Sequence, residues 1–233
     1  MTIKTYPTSN EIQKMIDQAF YLRNKVILSF YGDTGARVSE LLKLKVENLD
    51  LENGVVMIRH LKRGVKKRCP DCGRSAGRNT RFCSKCGCDL SRVIPEGIEE
   101  RSRLINIGEE TTELLKKYVE GLNPSDYIIM LTRQQVYNIV RGAGLSIGIK
   151  GKVILNPETG KKHYLHPHSF RSSLAVSWLS YAGSDVSKQK ALQEHLGHQS
   201  FNTTMKYNKL APAKVKQVSD EVRRARFERK EEV

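Results

Sequence analysis

The chain has 233 residues, of which 40 are Lys or Arg and 25 are Asp or Glu, so its net charge is +15. This length accommodates one large domain, and a hydrophobic content of 39% excludes a chain without a core. No apolar run reaches the roughly 18 residues that a membrane-spanning helix needs, and no secretory leader follows Met1, so we predict a soluble, cytoplasmic protein. The positive charge favours a polyanionic partner.

The N-terminal half is predicted to combine helices with a few strands. Thr8 and Glu11 form a capping box, and the helix that follows keeps apolar residues at helical spacing to Phe30 and ends near Gly32. The elements expected after it are a turn over 32–35, a short helix over 36–45, a strand over 55–58, a segment without helical or strand period over 69–88, a strand over 103–107 and a helix over 109–118.

The C-terminal half is predicted to be almost entirely helical. Thr132 and Gln135 cap a helix that reaches about Arg141, and turn signals make 148–162 a loop. Helices over about 170–182 and 186–196 are closed by Gly183 and Gly197, and Pro212 begins a last helix. These elements predict a mainly helical α+β protein with one small antiparallel sheet.

All five cysteines lie between 69 and 88, which favours a metal site over disulfides in an unexported chain. Cys69 and Cys72 form one knuckle, and Cys83 and Cys86 form a second. Four thiolates at this spacing are typical of a structural zinc ribbon, which would leave no position open for catalysis. Cys88 is an alternative to Cys86. The inserted module over 66–92 has no apolar core of its own and is expected to need the metal to fold.

The same region holds more than half of the net positive charge. Residues 59–103 contain 13 Lys and Arg against 5 Asp and Glu, which is more than half of the net excess. Eleven of these basic residues lie between 59 and 92. We therefore predict that the ribbon adds a DNA contact.

Four polar residues follow one another at distinctive spacing in the last third of the chain. His168 and Arg171 are three residues apart at a predicted helix start, so they share a face. His198 follows in Leu-Gly-His, and Tyr207 lies nine residues later. Each residue alone is compatible with a cap or with core packing, but the ordered set predicts a functional site.

This set, from Leu165 to Leu210, resembles the catalytic end of the tyrosine recombinases, the integrase and Xer-like class. The box from Thr34 to Leu41 resembles that family's first-arginine segment, and the strand after Asn53 resembles the start of its lysine-bearing hairpin. The resemblance covers about residues 10–62 and 101–210. It implies a tyrosine recombinase catalytic-domain fold over 1–233, here with an inserted zinc ribbon.

The resemblance also implies a reaction. The enzyme would cleave and rejoin double-stranded DNA through a 3′-phosphotyrosyl intermediate, without ATP or a catalytic cofactor, as the integrase of a mobile element. Arg37 and Arg171 would clamp the phosphate, and Tyr207 would attack it. His168 would act as base or clamp, and His198 would donate a hydrogen bond to the phosphate. Such an enzyme would be associated with the nucleoid.

The residue that protonates the leaving oxygen is less sharply defined. Lys62 lies where the family carries its catalytic lysine, and Lys66 and Lys67 are close alternatives because an insert interrupts this turn. Glu40, three residues after Arg37, either orients that guanidinium or is a simple exposed charge. A metal site in the neighbouring histidines 163, 166 and 168 is disfavoured because Pro167 breaks helical geometry.

Two other functions and the assembly state stay open. A type IB topoisomerase shares the tyrosine chemistry, whereas a non-catalytic zinc-ribbon DNA-binding protein explains the charge and the cysteines but not the polar series. Only about ten residues precede the first core helix, so the family's N-terminal core-binding domain is expected to be absent. A homotetramer on DNA is expected, in which the seam of Val215, Val218, Val222 and Ala225 packs either on its own domain or on a neighbouring protomer.

Overall fold

The computed structural model describes residues 6–61, 66–77, 79–94, 100–155 and 159–207. Two compact units divide the chain. The helical unit consists of Met1–Met57 and Leu104–Val233, and the inserted unit consists of Ile58–Arg103. The segment 66–92, predicted as an inserted module, lies within the inserted unit.

Helices account for most of the helical unit. The described residues form α1 (Ser9–Gln18), α2 (Leu22–Thr34), α3 (Val38–Leu41), α4 (Glu109–Val119), α5 (Arg133–Ser146), α6 (Pro167–Ala182), α7 (Val186–Leu196) and α8 (Phe201–Met205), with a 3-10 turn over Val46–Asn48. Helix α2 is the centre of the unit, because it contacts α1, α4, α5 and α6. Its residues Val26, Ile27, Leu28, Phe30 and Tyr31 each expose 1% or less of their surface.

The chain between α1 and α2 departs from the prediction of one continuous helix. Ala19 and Tyr21 adopt extended backbone conformations, and the side chain of Phe20 is 89% exposed. Since the consecutive residues Val26 to Tyr31 of α2 are all buried, this helix needs a neighbour on every side, and α1 supplies one only because the chain bends between them. The predicted turn over 32–35 was also wrong, because α2 continues to Thr34 and ends at Gly35. The short helix expected over 36–45 is reduced to the single turn of α3.

Within the described ranges, the strands form three small sheets rather than one. The first sheet has the order β1–β2–β5 and consists of β1 (Leu49–Asp50), β2 (Val55–Leu61) and β5 (Glu100–Asn106), with β1 antiparallel to β2. In the second sheet, β3 (Lys66–Arg68) pairs antiparallel with β4 (Ser75–Gly77). In the third sheet, β6 (Ile154–Leu155) pairs antiparallel with β7 (Lys162–His163). The segments predicted as irregular over 69–88 and 148–162 therefore each carry strands. Their pairs of two and three residues are too short for periodicity to reveal.

The two helices that carry most of the polar series end at the glycines predicted to close them. Helix α7 ends at Gly197, which has a φ of 65°, and α6 ends at Gly183. Pro167 occupies the first turn of α6, where its missing N–H costs nothing. The predicted helix after Pro212 and the apolar seam of the tail lie outside the described residues. In the described part of the chain, no helix is long and apolar enough to cross a membrane.

Candidate active site and metal centre

Arg171 is the largest fully buried side chain among the described residues, with 1% of its surface exposed. Its Nη1 donates to the carbonyl oxygen of Gly35 at 2.9 Å, and its Nη2 donates to the carbonyl oxygen of Leu196 at 2.6 Å. A buried guanidinium needs such acceptors because its charge is costly to desolvate. Arg171 therefore joins the end of α2 to the end of α7.

Gly35 is required at this junction for two reasons. Its φ is 55°, a conformation that residues with a side chain rarely adopt. A Cβ atom at this position would lie 3.3 Å from the Cα atom of Arg171, 3.1 Å from Leu174 and 3.2 Å from Leu196. The glycine thus allows the end of α2 to approach α6 and α7 closely.

Arg37 lies two residues beyond Gly35 and is held by Glu40. The Oε1 atom of Glu40 accepts from Nη1 of Arg37 at 2.9 Å, and its Oε2 atom accepts from the Arg37 backbone N–H at 2.8 Å. The Glu40 side chain is 3% exposed, whereas the Arg37 side chain is 35% exposed. Of the two sequence interpretations of Glu40, the structure favours the one in which it orients the guanidinium.

His168 lies on the first turn of α6 and is exposed at the surface. Desolvation of its ring by the surrounding protein nevertheless lowers the pKa of His168 from 6.5 to about 4, together with the positive charges of Arg171, His166 and Arg37. The charges of Arg37 and Arg171 thus both act on this imidazole. The ring is neutral at pH 7 and has a lone pair that can accept a proton.

His198 follows the glycine that ends α7, and its ring lies against Tyr207. The two rings are stacked, with centroids 5.9 Å apart and planes inclined by 10°. The Nδ1 atom of His198 is 2.8 Å from the hydroxyl oxygen of Thr204 in α8. Tyr207 is 8% exposed and packs into a cluster formed by Ala175, Val176, Leu179, Leu192 and Leu196. The sequence-predicted pair of His198 and Tyr207 is therefore in direct contact.

His195 is a site neighbour that the sequence analysis missed. It lies one helical turn before His198, and its Nε2–H donates to the carbonyl oxygen of Asp33 at 3.1 Å. Its ring also packs against Trp178 at 5.0 Å between centroids. The carboxylate of Asp33 in turn accepts from the backbone N–H of Gly108, at the start of α4. The signal in the sequence that could have identified His195 was its three-residue spacing from His198.

The three candidate lysines differ in what the structure shows. Lys62 lies outside the described residues. Lys66 is exposed on β3, whereas Lys67 is 8% exposed and donates from Nζ to the carbonyl oxygens of Leu90 at 2.6 Å and Thr80 at 3.4 Å. Lys67 is therefore held within the inserted unit in this structure, and the choice among the three lysines stays a prediction.

Four cysteines of the inserted unit form a candidate metal centre. The sulfur atoms of Cys69, Cys72, Cys83 and Cys86 all lie within 4.8 Å of one another, with Cys69 3.4 Å from Cys86 and Cys72 3.5 Å from Cys83. A tetrahedral zinc ion with Zn–S bonds of about 2.3 Å needs sulfur separations of about 3.8 Å. This set is the one group of three or more metal-ligating side chains found among the described residues. The cluster can bind a metal ion, and the histidines at 163, 166 and 168 do not form a second site there.

The local structure around the cysteines is that of a folded knuckle pair. Cys69, Cys83 and Leu90 are buried together, and Cys88 lies at the edge of this small core rather than in the four-sulfur group. The backbone N–H of Lys85 donates to the sulfur of Cys83 at 3.4 Å. Backbone amides of Lys85 and Cys86 lower the pKa of Cys83 to about 6, which favours the thiolate that a metal requires.

The surface of the inserted unit is strongly basic. The exposed acidic side chains among its described residues are Asp71 and Asp89. The exposed basic side chains are more numerous and include Lys66, Arg68, Arg74, Arg81, Lys85 and Arg92. Arg81 also lies 5.5 Å from the ring centroid of Phe82, which is 54% exposed. Basic and aromatic side chains together on one small module are suited to a polyanion.

Comparison with known proteins places these features in a family. The model of the phage integrase family matches residues 6–73 and 90–214, which is more than half of the chain. The match omits 74–89, the segment that carries the second cysteine knuckle.

Two curated relatives are tyrosine recombinases. Tyrosine recombinase XerA of Saccharolobus solfataricus is 24% identical over 200 residues, which are 86% of this chain and 50% of that protein. Tyrosine recombinase XerD of Chlorobaculum tepidum is 28% identical over 229 residues, which are 93% of this chain and 55% of that protein. The chain thus spans about half the length of the curated relatives it matches.

Two solved structures share the fold. The crystal structure of XerA recombinase matches with a TM-score of 0.61 and 20% identity over 96% of this chain and 66% of that one. XerH site-specific recombinase, bound to palindromic difH substrate in a post-cleavage complex, matches with a TM-score of 0.59 and 20% identity over 94% of this chain and 53% of that one. The predicted mainly helical tyrosine recombinase fold is confirmed. With the family match covering most of its length, the chain belongs to the phage integrase family of tyrosine recombinases.

Proposed function

We propose that this chain catalyses site-specific recombination by cleaving and rejoining double-stranded DNA strands. The contact between Tyr207 and His198 carries the proposal, because it pairs a nucleophile with a phosphate donor beside the buried Arg171 clamp. The substrate is supported by the net charge of +15 and by the complex of XerH with its DNA.

In the proposed reaction, the phenolic oxygen of Tyr207 attacks the scissile phosphorus. A new P–O bond forms to the tyrosine, and the P–O5′ bond breaks. Arg37 and Arg171 stabilise the charge that develops on the non-bridging oxygens, where loss of one such donor typically costs about 10²–10³ in rate. The phosphotyrosyl ester preserves the bond energy, so a 5′-hydroxyl from a partner strand can reverse the step without ATP.

Proton transfer needs a base and an acid. His168 is suited to accept the Tyr207 proton, since its lowered pKa keeps the imidazole neutral at pH 7. Lys62 is proposed to protonate the leaving 5′-oxygen, with Lys66 and Lys67 as alternatives. His198 is proposed to donate a hydrogen bond to the phosphate in both directions of the reaction.

The four-cysteine cluster is proposed to bind one structural zinc ion. Zinc fits because four thiolates fill a tetrahedral shell and leave no open position. The ion would supply no chemistry to cleavage, and it would hold the two knuckles of the inserted unit together. The basic surface of that unit is proposed as a further contact with DNA.

A homotetramer on paired DNA sites is proposed as the working assembly, acting on DNA in the nucleoid. Strand exchange between two duplexes needs four nicks, one for each protomer. Sedimentation of the protein with one or with two duplex sites would test this, because only the paired sites should yield four protomers per complex.

Covalent trapping tests the reaction. Duplexes bound by the protein would first be selected from a randomised pool, and the selected site would then be rebuilt with a nick next to the expected cleavage position. The short product strand diffuses away, so the adduct accumulates and runs as a slow band on a denaturing gel. Tyr207→Phe should bind the same DNA without adduct, while Tyr181→Phe, at an exposed tyrosine, should behave as wild type. A Tyr207→Phe variant that forms adduct at the wild-type rate would refute the assignment, and relaxation of supercoils without exchange of paired strands would indicate a topoisomerase.

A further inference from the structure

We infer that Thr204 is a positioning residue that holds His198 as the tautomer with hydrogen on Nε2. The inference rests on the proposed function of His198 as a phosphate donor. It begins from one contact, the 2.8 Å separation between the Thr204 hydroxyl oxygen and Nδ1 of His198. Thr204 is 0% exposed, so water does not compete for its hydroxyl group.

The direction of this hydrogen bond follows from what the hydroxyl lacks. A threonine hydroxyl carries one hydrogen, and a neutral imidazole carries one hydrogen on one of its two nitrogens. Among the described residues, Nδ1 of His198 is the only hydrogen-bonding partner of the Thr204 hydroxyl. If Nδ1–H donated to the hydroxyl, the hydroxyl hydrogen would be buried without an acceptor, which is unfavourable. The hydroxyl therefore donates to Nδ1, and the ring hydrogen resides on Nε2.

The tautomer matters because the phosphate oxygens are anionic acceptors. An Nε2–H group attracts such an oxygen, whereas an Nε2 lone pair repels it. The stacked ring of Tyr207 fixes the plane of the imidazole, and Thr204 then fixes which edge bears the hydrogen. His198 thus becomes a neutral donor that needs no protonation from solvent before each cleavage.

The neighbouring threonine provides a matched control. Thr203 is exposed, and its backbone N–H donates to the carbonyl oxygen of Ser200. Thr203→Val and Thr204→Val therefore make the same chemical change on the same short helix. The second variant alone removes the hydroxyl from Nδ1, while Thr204→Ser retains it.

The experiment reads the tautomer directly by ¹⁵N NMR of protein labelled at histidine, with the His198 signals assigned from His198→Gln. We expect the Nε2–H form in wild type, in Thr203→Val and in Thr204→Ser, and a mixture of both tautomers in Thr204→Val. Adduct formation on the nicked duplex should fall about tenfold or more in Thr204→Val, but by less than the roughly 10²–10³ of losing a whole donor. Thr204→Ser should restore both readouts.

The outcomes separate the two proposals. An Nδ1–H signal in wild type, or an unchanged tautomer in a folded Thr204→Val protein, overturns the inference even if DNA is cleaved. Should Thr204→Val fail to fold, the wild-type and Thr204→Ser spectra still decide it. If wild type forms no adduct while the spectra behave as expected, the recombinase function fails and the tautomer assignment stands.

Discussion

The carboxylate of Glu40 accepts two hydrogen bonds from Arg37, one from Nη1 of its side chain at 2.9 Å and one from its backbone N–H at 2.8 Å. One carboxylate therefore fixes both the direction of the guanidinium and the backbone from which it extends. Because Glu40 is almost fully buried, this pairing is sheltered from the solvent screening that weakens surface ion pairs.

Glu40→Gln should separate orientation of Arg37 from attraction of DNA. The variant removes one negative charge, so binding of the selected duplex should stay equal or tighten. Adduct formation should fall by about tenfold or more, because the amide of Gln keeps only one acceptor oxygen and can no longer accept from both the guanidinium and the backbone N–H of Arg37. Glu47→Gln, at an exposed acid on the same segment, serves as the control. Equal cleavage by Glu40→Gln and wild type would show that Arg37 is oriented without this contact.

Mixed protomers should reveal that Tyr207 acts on a phosphate held by its own chain. Its ring stacks on His198 of the same protomer and packs among residues of the same α6 and α7. Tyr207→Phe lacks the nucleophile and Arg37→Ala lacks part of the clamp, so a mixture of the two should form no more adduct than either alone. Recovery of adduct on mixing would mean that tyrosine and arginines come from different protomers.

A substrate with sulfur in place of the 5′-bridging oxygen should identify the acid. A thiol with a pKa of about 8.5 leaves without protonation, unlike an alcohol, whose pKa lies near the value of about 15.7 for water. Cleavage of this substrate should be restored in the variant of the catalytic lysine, which we expect to be Lys62→Ala. Rescue of Lys66→Ala instead of Lys62→Ala would assign the acid to Lys66. Lys67→Ala should instead lower the stability of the inserted unit, and specific rescue of Lys67→Ala would contradict the structural role of its buried Nζ.

Metal analysis should find one zinc ion per chain, held by the four clustered thiolates. Cys86→Ser should lose the metal, whereas Cys88→Ser should retain it, because Cys88 lies outside the four-sulfur group. Chelation should unfold the inserted unit and weaken DNA binding. The helical unit should keep its circular dichroism. Absence of zinc, with all five cysteines freely alkylated in the native protein, would exclude the site.

The protein should lose stability as the pH falls from 6.5 towards 4. The folded state lowers the pKa of His168 to about 4, so in this interval the unfolded chain binds a proton that the folded chain does not. The contribution is complete above pH 6.5. Thermal unfolding at pH 7.5, 6 and 5 should show a steeper fall for wild type than for His168→Gln, with His163→Gln as control. Parallel curves for wild type and His168→Gln would contradict the lowered pKa.

The sequence was most informative where residue chemistry and spacing coincide. The nine-residue interval between His198 and Tyr207 predicted that they belong to one site, and the spacing of the four cysteines predicted a metal centre. Both predictions rest on side chains that have few other uses at such spacing. The helix ends at Gly183 and Gly197 were predictable because glycine readily adopts the positive φ values that end a helix. These features are local, and their physical causes lie within a few residues.

Features that depend on distant neighbours were not predictable. The apolar spacing continues through Ala19 and Phe20, so only the burial of α2 on all sides explains the bend there. Lys67 is equivalent to Lys66 in sequence, and its role depends on the carbonyl oxygen of Leu90. Thr204 carries no distinctive chemistry until a histidine ring lies beside it.

The two carbonyl oxygens that hold Arg171 are 136 and 25 residues away from it along the chain. Arg171 is therefore fixed in place only when the end of α2 and the end of α7 have both packed against α6. Under the proposed function, long-range attraction of DNA by the net charge does not need these two hydrogen bonds, whereas alignment of a phosphate does. Partial unfolding of either helix end should therefore impair the proposed cleavage before it impairs DNA binding.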